Sequence, residues 1–202
     1  MLDAYVCSLY DRYFRVLVRS GEIKFEYDFN LLLRWLLKIG YNSARARKWP
    51  FTFPEEFKHY VLGRNDRPKG AHVLLQLIIP TRVEPGHIRD DPTATEVLPI
   101  PNRIGLLDVR RLPGFLIAFM VSIHSYHFYV FQDDVDSDLR LRRRILKEFI
   151  RELPGGYELK PQKKRAVVFA SSVDSISAAS QSAPLFRNLL LGRKWQEEKQ
   201  RR

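Results

Sequence analysis

Residues 28–47, DFNLLLRWLLKIGYNSARAR, constrain the fold more than any other stretch, because they are helical in period yet apolar almost all the way round. Asp28 stands where an N-cap belongs, and Phe29, Leu32, Leu33, Leu36 and Gly40 follow at helical spacing, with Leu31, Trp35 and Leu37 widening the face. Arg34, Lys38, Asn42 and Arg45 form the only polar stripe, and it is narrow. Such a helix has to be covered by other elements, so it predicts the central helix of a core.

The remaining segments supply that cover. Residues 3–19 read as an amphipathic helix with Val6, Leu9, Tyr10, Tyr13 and Leu17 on one face and a stop at Ser20-Gly21. Glu22 to Tyr27 alternates polar and apolar, as a half-buried strand does. Beyond the central helix, Pro50 is a break, and Thr52 with Glu55 reads as a capping box opening a short helix that Gly63 closes. Ala71 to Ile79 is apolar enough for a central strand. Residues 80–101 hold five of the twelve prolines and predict a long loop. Residues 103–109, 115–123 and 126–131 read as an antiparallel meander, followed by an amphipathic helix over 138–153 and two short strands at 157–160 and 166–170. Residues 171–182 predict a short helix behind a Ser172 cap, and 184–192 a last helix before the charged tail 193–202. The expected fold is a single α+β domain over 1–192, its central helix packed on a mostly antiparallel sheet.

Charge narrows the function. The formal net charge is +11, yet residues 1–139 hold 18 basic and 17 acidic side chains, whereas 140–202 hold 16 and 6. An acidic partner, DNA or RNA, is expected to meet the last third. Within the 138–153 helix, Arg140, Arg144, Lys147 and Arg151 recur four, three and four apart and form one stripe, opposite Ile145, Leu146, Phe149, Ile150 and Leu153. With Arg142, Arg143 and the later Lys160, Lys163, Lys164 and Arg165, this makes a candidate phosphate-contacting surface, which gives affinity without sequence choice. The alternative is a solvated helix face whose preceding aspartates complement the helix dipole.

Catalytic signals are weak. Cys7, the single cysteine, excludes an intrachain disulfide and reads as a small buried residue of a protein in a reducing, cytoplasmic setting. No signal peptide or membrane span is visible, since the apolar windows are interrupted by charge or by histidine. His124 and His127 form an H-x-x-H, but on strand and turn, where their rings diverge. Asp133, Asp134, Asp136 and Asp138 lack the glycine and the glutamate of a calcium loop and read as a helix cap. Asp133 and Asp134 with the E-x-K of Glu158 and Lys160 offer a metal-dependent nuclease as an alternative. There is no G-x-S-x-G, P-loop or dinucleotide fingerprint, so no catalytic, metal or cofactor residue is assigned.

Residues 22–47, EIKFEYDFNLLLRWLLKIGYNSARAR, with the proline-capped short helix, the Arg-Pro turn and the apolar strand that follow, resemble the region downstream of the nuclease motif in bacterial HNH-endonuclease-like proteins. Leu2-Asp3 resembles the point where those chains leave their nuclease module. The resemblance covers about the first half of the chain. It implies an accessory domain acting beside a nuclease, on nucleic acid or on a protein partner. Because the paired cysteines and the H-N-H constellation are missing here, it carries over no catalytic residue. A protein-interaction module docking through the proline-rich loop or the terminal helix stands as the other alternative.

Overall fold

The computed structural model describes residues 2–15, 18, 21–46, 53–80, 82–83, 96–97, 102–107 and 112–174. Helix α1 (Leu2–Leu9) runs into a π-helical turn (Tyr10–Phe14). Strand β1 (Glu22–Glu26), α2 (Phe29–Ala46) and α3 (Glu55–Val61) follow. Then come β2 (Ala71–Ile79), the short pair β3 (Arg82–Val83) and β4 (Glu96–Val97), β5 (Arg103–Leu106), β6 (Phe115–Ile123) and β7 (Tyr126–Asp133). The described chain closes with α4 (Leu139–Glu152), β8 (Tyr157–Leu159) and β9 (Arg165–Asp174).

Seven strands form one sheet in the order β1-β9-β2-β7-β6-β5, with β8 paired to β2 beside β9. All of its pairs are antiparallel except β2 with β9. The α+β class with a mostly antiparallel sheet is therefore as expected. Strand β2 lies at the centre, and strand alternation divides it: Val73, Leu75 and Leu77 enter the core beneath α2, while Leu74 enters the core beneath α4. Helices thus cover both faces of the sheet, and β2 can be apolar throughout because both of its sides are buried.

Helix α2 is the buried element its sequence implies. Asp28 Oδ1 accepts from the Leu31 N–H at 3.0 Å, satisfying one of the donors that the first turn leaves open. Phe29, Leu32, Leu33, Leu36 and Leu37 are all at most 4 % exposed, each contributing roughly 1.5–3 kcal/mol through burial. Gly40 lets the helix cross directly over β6: a Cβ there would stand 2.7 Å from the Phe119 ring. Arg34, on the polar stripe, turns its guanidinium onto the Val61 carbonyl at 3.0 Å and so ties the end of α3 to α2.

Three tyrosine hydroxyls close backbone that the sheet leaves unpaired. Tyr13 accepts from Glu26 N–H and donates to Lys24 C=O on the outer edge of β1. Tyr5 engages both backbone groups of Asp28, and Tyr27 both those of Lys160. An edge strand whose polar groups are already taken is a poor template for further strands.

Several boundaries differ from expectation. The described first helix ends at Phe14 in a wider turn, the Arg15 N–H reaching back five residues to Tyr10 C=O at 2.9 Å, and residues 16, 17 and 19 of the expected helix lie outside the described residues. That wider turn rotates the apolar face, burying Phe14 and leaving Tyr10 45 % exposed. Cys7 is exposed, not buried. Residues 171–174 are strand rather than helix, since β9 continues past Ala170 to pair with β2 at Ile79. The proline-rich stretch holds the small β3–β4 pair. Thr52, Pro50, the expected helix over 184–192 and the tail over 193–202 lie outside the described residues.

Candidate nucleic-acid interface

Helix α4 is nucleated by its own leader. Asp138 caps it, its Oδ1 accepting from Arg140 N–H at 2.8 Å. The turn before it is fastened by Ser137 Oγ donating to Asp134 C=O and by Asp134 N–H donating to Gly114 C=O at 2.8 Å. Ile145, Leu146, Phe149 and Leu153 are buried against Leu74, Ala118, Tyr129 and Phe131. The opposite face carries Arg140, Arg143, Arg144, Lys147 and Arg151, all exposed, lining an open shallow groove with half-buried Glu148. From Arg140 to Arg151 the stripe is about 16 Å long at 1.5 Å per residue.

That stripe is poorly neutralised. Arg151 meets Glu152 at 3.5 Å, an exposed pair worth little. Among the described residues, Arg140, Arg143, Arg144 and Lys147 have no ion-pair partner. Like charges three and four residues apart on a helix repel by a few tenths of a kcal/mol per pair, a cost that a polyanion removes.

The second basic stretch lies elsewhere. Residues 160–165 turn against α1 and β1, where Lys163, Lys164 and Arg165 share a groove with Tyr5, Arg12 and Glu26. Arg165 and Arg12 both bond to the Glu26 carboxylate, at 2.6 and 3.1 Å, and Lys160 bonds to Glu158. Lys163 and Lys164 are exposed. The surface that the sequence suggested as one patch is thus two, with no lining residue in common.

Arg142 does not belong to the exposed basic surface that the sequence suggested. Its guanidinium lies 3.2 Å from Asp133, with the side chain 12 % exposed. Asp133 also faces His72 Nε2 at 3.3 Å, while His72 Nδ1 meets Glu158 at 3.1 Å. Burial pulls the His72 pKa down, but the two carboxylates on its ring nitrogens outweigh burial and hold it up at about 9. His72 and Lys160 in turn hold the Glu158 carboxyl below its ordinary range. Three of the four residues of the nuclease alternative therefore converge, Asp133, Glu158 and Lys160, but around a histidine the sequence did not single out. Asp134 instead accepts from Asp136 N–H within the turn. The imidazole stands between the carboxylates, and Arg142 and Lys160 take up their outer sides. This makes a charge-compensated cluster, and among the described residues no group of three or more His, Cys, Asp and Glu side chains is arranged to hold a metal.

His124 sits in the β6–β7 turn with a φ of 48° and His127 on β7. Among the described residues no helix is long and apolar enough to cross a membrane. Compared with known proteins, the chain matches no protein family, no curated protein and no solved structure.

Proposed function

We propose that this chain is a non-catalytic, nucleic-acid-associated module of the cytoplasm that holds a phosphate backbone along the exposed face of α4. The observation that carries the reading is the row of Arg140, Arg143, Arg144 and Lys147, exposed on a capped helix and without ion-pair partners among the described residues. Lys163 and Lys164 are a second, separate contact. The module fits an accessory role beside a nuclease or another protein, as the resemblance of residues 22–47 implies.

Fluorescence anisotropy with mixed-sequence DNA and RNA at low salt tests it. Four phosphate contacts predict that affinity falls roughly 50- to 150-fold between about 50 and 200 mM salt. Reversing Arg140, Arg144 and Lys147 to glutamate should abolish most of the binding and flatten that dependence. Absence of binding by the wild-type chain, or binding indifferent to the reversal, overturns the reading. A protein partner captured equally well at high salt and by the reversed variant points instead to an interaction module.

A further inference from the structure

We infer that the open face of β9 and β1 is a base-stacking platform centred on Phe169, and that the polyanion held by α4 is single-stranded nucleic acid. The inference rests on the reading of α4 as a phosphate-binding helix and adds to it the class of strand.

Phe169 departs from the pattern of every other phenylalanine described. The other ten are at most 5 % exposed, whereas Phe169 is 62 % exposed and Val167, two residues before it, 40 %. The register explains why. Ala166 and Val168 enter the core beneath α2, so alternation turns Val167 and Phe169 to the α4 side of the sheet. The buried residues of α4 pack on β2, β6 and β7 and not on β9. Nothing in the α2 core needs these two side chains, and their ring and methyl surfaces lie open.

The position of Phe169 gives that exposure a use. At one end, the turn that closes α4 lies against β9: a Cβ on Gly155 would come within 3.1 Å of Phe169 C=O. Arg151 is one helical turn upstream of that contact. At the other end, β9 begins at Arg165, directly after the exposed Lys163 and Lys164, about 13 Å along the strand from Phe169. Phe169 therefore lies along β9 between the Lys163–Lys164 turn that leads into the strand and the turn that closes α4. Across β1, Lys24 stands opposite Val167 and Glu22 opposite Phe169. A carboxylate beside the ring disfavours phosphate and favours the amino edges of a base, while the flanking cations hold the backbone.

Cations that track phosphates combined with an exposed ring are the elements of sequence-tolerant single-strand binding, because any base has a face that can stack. Bases inside a duplex are already stacked and offer the ring nothing. An exposed aromatic residue on a strand that a basic turn leads into thus selects unpaired strands.

The experiment uses the full chain and a fluorescein-labelled, mixed-sequence DNA of about 20 nucleotides, alone or annealed to its complement. Phe169→Ala should weaken single-strand binding about 5- to 150-fold, the loss expected for one stacked base. Its salt dependence should stay that of the wild type, since stacking releases no counterions. Phe169→Trp should keep the affinity and show indole fluorescence quenched by the single strand and not by the duplex. If Phe169→Ala leaves single-strand affinity unchanged, or lowers it only as much as duplex affinity, the inference fails while salt-dependent binding through α4 still stands. If Phe169→Ala lowers the melting temperature with no change in affinity, the ring is a packing group and the inference again fails. If the wild type binds neither form of the DNA nor single-stranded RNA of the same sequence, both readings fall together.

Discussion

Replacing His72 by glutamine should remove one specific limb of the protein's stability curve. The imidazole is 26 % exposed and lies between Asp133 at 3.3 Å and Glu158 at 3.1 Å, which hold its pKa at about 9 against an ordinary 6.5. A shift of that size corresponds to about 3 kcal/mol of coupling between protonation and folding. Because the folded pKa is the higher one, the contribution is complete below pH 6.5, declines through the interval and is gone above pH 9. Urea unfolding of the wild type at intervals across pH 6–10 should therefore show stability falling by up to about 1.4 kcal/mol per pH unit inside this window. His72→Gln should be less stable than the wild type at pH 6 and show a much flatter profile to pH 9. Asp133→Asn, which removes one partner, should move the midpoint of the His72 imidazole, followed by NMR, back toward 6.5. If the wild-type and His72→Gln profiles run parallel from pH 6 to 9, the cluster does not hold a protonated histidine.

Three further substitutions test the packing and the helix signals. Gly40→Ala puts a methyl group into the Phe119 ring and should cost about 1–3 kcal/mol, read as a lower melting temperature that Phe119→Leu partly restores. Asp138→Ala removes the cap accepting from Arg140 N–H; a loss of about 0.5–2 kcal/mol in urea unfolding is expected, and unchanged stability would mean that Asp134 and Ser137 suffice to start α4. Tyr27→Phe leaves the Lys160 N–H without its acceptor and the Lys160 C=O with the Lys163 N–H alone and should cost about 1–3 kcal/mol, with faster hydrogen exchange at the Lys160 amide as the local signature.

Much of the architecture could be read from local patterns. Strand β2 coincides with the apolar run from Ala71 to Ile79, and β6 with that from Phe115 to Ile123, because runs of branched and aromatic residues bounded by glycine, proline or a tight turn leave few alternatives. Helix α2 was legible for the same reason: its cap, period and apolar girth all point one way. The basic stripe of α4 was legible too, since helical spacing alone decides which residues share a face.

What escaped depends on which elements become neighbours. The register of β2 against β7 and β8 brings His72, Asp133 and Glu158 together from positions far apart in the chain, and no local pattern announces such a meeting. The same cluster draws Arg142 inward from a row of arginines that look alike in sequence. Strand β9 outlasts its apolar stretch because β2 offers a parallel partner beyond Ala170, and Phe169 is exposed because the buried face of α4 packs on β2, β6 and β7.

The chain by itself determined the class of the fold, the buried status of α2 and the row of cations on α4. These follow from short-range periodicity, which each segment carries whether or not the rest is present. Only the tertiary structure decided which charges are compensated, that the two basic stretches stand apart, and that the Phe169 ring on β9 lies exposed. Pairing, burial and exposure are properties of how faces meet, and a one-dimensional pattern specifies the faces without their neighbours.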